Sequence, residues 1–533
     1  MTRSFQGPGR SAVLGTRAMI ATSHPMAALA GVEAMKRGGS AADAALAASA
    51  MLCVVEPHMT GIGGDCFAIV AAPGVAARAL MASGPSPAGV DREALVAAGM
   101  SELSDDTPHS VNVPGAVDGW VKLHAAHGKL PFADLMEPAA RVAEAGYAVA
   151  PRVAYDWATH APRLARRPET AAMFLRDGEA LRVGDVHRQP ALGETLRAIG
   201  RKGRAGFYEG AVAQDMVASL RAMGGTHTLD DFAAYEAQWA EPIRAQYAGV
   251  EIVETPPNGQ GATAFLILKA LETWDVWRAA PGPERMRLYV EATRAAYRLR
   301  DRAITDPAAM TIGLETFLSD AAVAYVRAAA VDPGAGTGVA HARRDLGRVP
   351  WETDTITVTV VDEDGLVVSF INSLFFNFGS TLVAPTSGVL FHCRGASFSL
   401  EADHPNALAP GKRTMHTIIP GLVEKDGAPL MPFGVMGGQY QAAGHAHLLS
   451  RVFEEGMELQ DALDAPRAFG YGAATEVEEG IDAETRAHLA AHGCLLAPAP
   501  SPIGGAQAVL IDRARGVLVG ASDPRKDGCA LGY

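Results

Sequence analysis

A threonine that opens a β-strand directly after a loose linker has the makings of a nucleophile, and residues 355–360, Thr-Ile-Thr-Val-Thr-Val, offer that arrangement. A threonine hydroxyl attacks poorly unless a base takes its proton. If Thr355 is the first residue of a chain, its own α-amine, with a pKa of ~7.7–8.0, serves as that base at neutral pH. Attack of the Thr355 hydroxyl on the carbonyl of Asp354, followed by hydrolysis of the ester, would expose the amine without a second enzyme. This chemistry needs a strand starting at the nucleophile, an accessible linker before it and nearby hydroxyls to orient it. Residues 330–350 carry Gly and Pro without periodicity and read as a flexible surface stretch. The competing reading is an ordinary Thr-rich, half-exposed strand.

The elements around that threonine follow from local pattern. Ile356, Val358 and Val360 face one side of the strand, and Thr355, Thr357 and Thr359 the other. Asp362-Glu363-Asp364-Gly365 predicts a turn and residues 366–374 a second strand, so the segment is a β-hairpin. Upstream, residues 24–55 are helical with a break at Gly38-Gly39, and 40–55 is apolar on nearly every face, as in a buried helix. The glycine turn at 61–65 leads into a strand at 66–70. No strand precedes this turn and no P-loop lysine follows, which argues against a phosphate cradle. Residues 284–304 read as a charged amphipathic helix.

Composition narrows the function class. The chain has 533 residues, 48% hydrophobic and 20% charged, which describes an ordinary globular enzyme of two or three domains or one large layered core. The net charge of −13 and the absence of a basic run argue against a nucleic-acid partner. Cys53, Cys66, Cys393, Cys494 and Cys529 form no CxxC pair and are odd in number, so they read as small buried hydrophobes in a reducing compartment. No span of eighteen apolar residues and no leader-like apolar run occur, so the expectation is a cytoplasmic protein without a membrane partner. The threonine chemistry requires no metal or cofactor.

Motifs along almost the whole chain resemble the γ-glutamyltransferase family. They include Gly-Gly-Ser-Ala-Ala-Asp-Ala-Ala at 38–45, Val55-Glu56-Pro57, Gly61-Ile62-Gly63-Gly64, Val113-Pro114-Gly115-Ala116-Val117 and Pro256-Pro257. The series continues through 354–379, Ala409-Pro410-Gly411-Lys412-Arg413, the glycines of 434–438, Gly520-Ala521-Ser522-Asp523-Pro524-Arg525 and Gly532-Tyr533. Each motif is modest; their order and spacing are specific. The resemblance implies a four-layered αββα sandwich of the N-terminal-nucleophile (Ntn) hydrolases. It also implies a precursor that yields a large subunit, 1–354, and a small one, 355–533, paired as a heterodimer and possible as a dimer of heterodimers. It makes Thr355 the nucleophile, with Thr357 two residues on where many relatives have His. Ser373 takes the place of a second-strand threonine that bonds the nucleophile, a contact that hairpin geometry also supports. Gly437 and Gly438 match the glycine pair whose N–H groups form the oxyanion hole.

The chain also departs from the family's pattern. Classical members bind a glutamyl α-carboxylate through an arginine that residues 79–85 lack. They bind its amine through an aspartate that is here replaced by Ala396 or Ser397. Their paired serines correspond to His416 and Thr417, and an asparagine to Phe375. A buried ammonium without an acidic partner is costly, so a substrate amine is not obviously accommodated. Arg394, new in this place, either forks onto a substrate carboxylate or makes a structural ion pair. The short stretch between Phe398 and Lys412 suggests an open acyl site. This pattern resembles the branch with oxamate amidohydrolase and cephalosporin-acylase-like proteins. The expectation is an autoprocessed amidohydrolase acting on a small amide with an oxamate-type or glutaryl-type acyl group. Arg394, His416, Thr417 and Tyr440 would shape the acyl pocket. The alternatives are a glutathione hydrolase or γ-glutamyltransferase, and an uncleaved, non-catalytic binding protein.

Overall fold

The computed structural model describes residues 9–332, 355–472 and 474–533. Most of the expected linker, and Asp354 whose carbonyl the self-cleavage would attack, lie outside them. The hairpin forms as its pattern predicts. Ile356–Val361 pairs antiparallel with Val367–Ser373, with Ile356 opposite Asn372 and Val361 opposite Val367. Asp362 Oδ1 accepts the N–H groups of Asp364 and Leu366, and Gly365 takes φ +79°, so the turn closes through the acid and the glycine that marked it.

This hairpin is the middle of a seven-stranded antiparallel sheet. The spatial order is Cys529–Gly532, Met19–Thr22, Ile356–Val361, Val367–Ser373, Asp65–Ala72, Val75–Ala82, Gln238–Ala240. A second seven-stranded sheet runs Val13–Gly15, Val517–Ser522, Gly505–Asp512, Ala428–Met436, Gly421–Lys425, Val250–Glu254, Ile243–Tyr247. Its neighbours are antiparallel too. The sheets face each other, and each outer face carries helices, giving the expected αββα order. Ile356, Val358 and Val360 turn outward into a core shared with the Ala41–Val55 helix. Every residue of that helix is buried, as its all-round apolar pattern predicts, and Ser40 caps it with Asp43. Gly261–Glu272, Gly282–Ala303 and Gln441–Leu449 cover the second sheet.

The threonine face of the hairpin meets the other sheet instead of water. A Cβ at Gly434 would lie 2.5 Å from Thr357 Cγ2, so glycine is what lets the two strands approach. The half-exposed reading of this strand therefore does not hold, since all of Ile356–Val361 is buried. Cys53, Cys66, Cys393 and Cys494 are buried, Cys529 is partly so, and all are unpaired. No helix among the described residues is long and apolar enough to cross a membrane.

Buried histidines give this fold an acid sensitivity. Burial lowers the pKa of His24, His187 and His227 to about 4. Burial and then the neighbouring Arg394 lower His392 and His416 to about 3. The unfolded value is ~6.5, so between these limits the unfolded chain binds more protons than the folded one. The stability these groups contribute is complete above pH ~6.5 and drains away as the pH falls toward the folded values. Scanning calorimetry should show the melting temperature falling steadily from pH 6.5 to 4. A flat profile would mean that these rings are not held neutral.

Candidate active site

Thr355 sits just before the hairpin's first strand, 1% exposed, with its Oγ1 3.1 Å from Ser373 Oγ across the pair. Satisfying the serine's donors fixes which hydroxyl donates. Ser373 Oγ accepts the Phe375 N–H at 2.9 Å and faces an Arg394 Nη2–H at 3.4 Å. A hydroxyl has two acceptor lone pairs and one proton, so the serine proton points at Thr355 Oγ1. Removing this donor with Ser373→Ala should lower kcat about 10²-fold with little change in KM, the scale of one lost preorganised donor. Steady-state rates on the processed protein test this; a change confined to KM would assign Ser373 to binding alone.

Arg394 is the second feature. It opens a single 3-10 turn, Arg394–Ser397, and is 1% exposed. Its Nη1 donates to Thr417 Oγ1 at 2.9 Å, and its guanidinium lies 4.0 Å over the Phe375 ring. Nε has no hydrogen-bond partner among the described residues, and the carboxylate beside it, Asp65 Oδ2, is 3.9 Å away. Burial lowers the arginine to about 10, with Asp65 opposing the shift only in part. Asp65 is shared: Oδ1 accepts the N–H groups of Gly115 (3.1 Å) and Gly84 (3.4 Å), and Oδ2, the oxygen facing Arg394, accepts His416 Nε2 (3.0 Å). The result is a buried guanidinium, only partly neutralised, next to the Thr355–Ser373 hydroxyl pair.

His416 is close by but fully occupied. Its Nε2–H donates to Asp65, its Nδ1 accepts the Ile418 N–H at 3.3 Å, and its ring packs 4.7 Å from Phe67. His392 is likewise held: Nε2–H to the Asn112 carbonyl, Nδ1 from the Arg394 N–H. These rings buttress Asp65 and Arg394 and offer no free nitrogen to a ligand.

The glycine turn completes the arrangement. Gly437 has φ +113° and Gly438 +51°, and a Cβ at Gly437 would lie 2.7 Å from Gly504 Cα. Gln260 Nε2 bonds both Thr417 O (2.8 Å) and Gly438 O (3.2 Å), which ties this turn to the Arg394–Thr417 arm. Thr355, Ser373, Arg394, Thr417, Gly437 and Gly438 are thus joined at one end of the sandwich. Thr357 lies one pleat deeper, its Oγ1 without a partner among the described residues. Tyr440 packs its ring on Phe469, 5.3 Å between centroids, within the core of the second sheet.

Asp65 and Gln260 were not singled out as site residues from the sequence. Asp65 could have been, since it follows the glycine turn and its strand pairs it with Ser373. The short stretch after Phe398 is held together by its own side chains. Asn406 bonds Ser397 O and Thr414 Oγ1, and Lys412 Nζ bonds the Pro405 and Ala407 carbonyls, so the loop folds down on itself. Among the described residues one trio, Glu284, His488 and His492, could ligate a cation. It lies at a helix junction on the outer layer, and both Glu284 oxygens already receive Arg287.

Residues 27–533 match the family model described as gamma-glutamyltranspeptidase. The glutathione hydrolase-like YwrD proenzyme of Bacillus subtilis is 36% identical over 98% of this chain and 99% of its own. The oxamate amidohydrolase proenzyme of Klebsiella pneumoniae is 32% identical over 98% of this chain and 100% of its own. The crystal structure of cephalosporin acylase from Bacillus halodurans superposes with a TM-score of 0.89 at 34% identity, covering 100% of this chain and 99% of that one.

Proposed function

The chain belongs to the gamma-glutamyltranspeptidase family, and from that premise we propose that it cuts itself before Thr355 and then hydrolyses the amide of a small carboxylate-bearing acid of the oxamate kind. Relatives named amidohydrolase, glutathione hydrolase and acylase make it an Ntn-type hydrolase of amide bonds. The finer reading rests on the under-neutralised Arg394 beside Thr355 and Ser373.

After cleavage the Thr355 Oγ attacks the amide carbon and passes its proton to its own α-amine. The N–H groups of Gly437 and Gly438 receive the oxyanion, and Ser373 donates to the attacking oxygen. Collapse breaks the C–N bond, the ammonium returns the proton to the leaving nitrogen, and an ester remains on Thr355. Water, deprotonated by the same amine, releases the acid. A carboxylate on the acyl group pairs with Arg394. The 3.1 and 3.4 Å legs through Ser373 bring Nη2 to within about 6.5 Å of Thr355 Oγ1. A charge-assisted bond of ~2.8 Å and a near-attack distance of ~3–3.5 Å take up nearly all of that span, so the acyl group must bend off the line to reach both, and a short one has the least chain to accommodate.

Cutting at this point would give pieces 1–354 and 355–533 that stay joined. Ile356–Val361 lies between Met19–Thr22 of one and Val367–Ser373 of the other, and the latter is bonded to Asp65–Ala72. A second reading, γ-glutamyl hydrolysis, draws on the name of the Bacillus subtilis relative and on Asp65, an acid within the site. The sharing of Asp65 among Gly84, Gly115 and His416, with Arg394 beside it, weighs against its also taking a substrate ammonium.

Intact-mass measurement, with ammonia release from oxamate and aniline release from a γ-glutamyl anilide assayed in parallel, tests these readings. Two fragments meeting at Asp354–Thr355 with ammonia from oxamate are expected. Two fragments with aniline alone would overturn the acyl preference. One uncut, inert chain would overturn the proposal and favour a binding protein.

A further inference from the structure

Gln260 and Arg300 touch neither Thr355 nor the Arg394 clamp by side-chain contact, yet both are fully buried polar groups at the back of the site. Gln260 precedes the Gly261–Glu272 helix, and Arg300 lies near the end of Gly282–Ala303. Arg300 Nη1 donates to Gln260 Oε1 at 2.7 Å. A guanidinium only donates, so this contact fixes which end of the amide is oxygen. The NH2 end must then face the Thr417 and Gly438 carbonyls. Arg300 is itself held by Asp301 at 2.7 Å and stacks 4.2 Å from the Tyr297 ring. The Tyr297 hydroxyl donates to the carbonyl of Gln439, the next residue of the same turn, and accepts the Ala443 N–H at 3.3 Å.

We propose that Gln260, oriented by Arg300, is a positioning residue that holds the Gly437–Gly438 turn and the Arg394–Thr417 arm at one fixed spacing. The turn needs such support. Its two glycines have no side chains to restrict them, and glycine is the residue with most freedom to lose. Three carbonyls in succession are pinned: Gly437 O by the Tyr440 N–H at 2.9 Å, Gly438 O by Gln260, Gln439 O by Tyr297. The Gly438 N–H shares its peptide plane with the Gly437 carbonyl that Tyr440 holds, and Gln260, with the Gln441 N–H, fixes the plane that follows, so the glycine between them cannot swing. Donors that need no reorganisation at the moment of reaction are what stabilise an oxyanion. The same amide anchors Thr417, whose hydroxyl receives Arg394, so the acyl clamp and the oxyanion donors are braced by one side chain. Desolvating a guanidinium is costly, which a role in helix packing alone does not account for.

This inference rests on the glycine turn holding the oxyanion, and not on which acid is released. The test is Gln260→Glu. It keeps the shape and the acceptor for Arg300 but sets carboxylate oxygens against two carbonyls. Rates are measured with the 4-nitroanilides of oxalic acid and of γ-glutamate on processed protein, beside wild type, with melting temperatures. A fall in kcat of about tenfold or more, with KM within about twofold, is expected. Tyr297→Phe, which removes one hydroxyl, should lower kcat a few-fold and decides the matter if Gln260→Glu does not fold. Arg300→Lys, which can still donate to Gln260, should keep more kcat than Arg300→Met. Equal kcat in wild type, Gln260→Glu and Tyr297→Phe, or a loss confined to KM or to melting temperature, overturns this inference alone. An inert wild-type protein overturns it together with the proposed function.

Discussion

Thr355→Ala should leave one uncut chain that hydrolyses no amide. The hydroxyl is needed twice, first to attack the Asp354 carbonyl and then to attack substrate, and the amine that acts as base exists only after the first event. Losing nucleophile and base together should cost on the order of 10⁴-fold or more in kcat, the range seen when a nucleophile that works as a unit with its base is deleted. Stability should hardly move. Thr355 is 1% exposed and gives up a methyl and its bond to Ser373, a change of about 1 kcal/mol for the hydrogen bond. Intact mass, melting temperature and rate on the same sample separate the two effects. Thr355→Ser keeps a hydroxyl and should still cut and turn over, more slowly. A cleaved, active alanine variant would move the nucleophile elsewhere, with Ser373 the first candidate.

Arg394→Met should lower kcat/KM for oxamate by about 30-fold to several thousand-fold, matching the ~2–5 kcal/mol lost when one partner of a buried, hydrogen-bonded charge pair is truncated. The effect on stability decides between a substrate clamp and a structural ion pair. As a clamp, Arg394 is a guanidinium desolvated ahead of its partner, 3.9 Å from Asp65 and with Nε unbonded among the described residues. Replacing it with an apolar side chain then relieves a burial cost, and the melting temperature should stay level or rise. As half of a structural pair, its loss strands Asp65 and should destabilise by about 3–5 kcal/mol. Asp65 keeps the N–H groups of Gly84, Gly115 and His416 in either case, so the first outcome is expected. Activity lost only along with folded protein would refute the clamp.

The hairpin was legible because every signal it needs lies within it. Alternation in 355–360, the Asp-Glu-Asp-Gly turn and the second strand specify register, and register alone brings Ser373 to Thr355. The Ala41–Val55 helix was legible for the same reason, since an unbroken apolar stretch has one physical destination. The αββα layering and the role of the glycine pair came from the order of motifs resembling one family, because no local pattern states how sheets stack.

What local pattern could not say is which groups at one end of the sandwich are already spoken for. His416 and Tyr440 have the right chemistry for an acyl pocket, but hydrogen bonding and packing commit both elsewhere. Asp65 and Gln260 meet Arg394 and the glycine turn across hundreds of residues, through strands and helices that converge only in three dimensions. The sequence by itself therefore determined the hairpin, the register that sets Ser373 against Thr355 and the chemistry proposed for that pair, since these depend on residue type and short-range geometry. Only the tertiary structure decided that Arg394 is left under-neutralised and that the glycine turn is braced. Charge compensation and hydrogen-bond satisfaction are sums over all neighbours, and the neighbours exist only once the sheets have closed on each other.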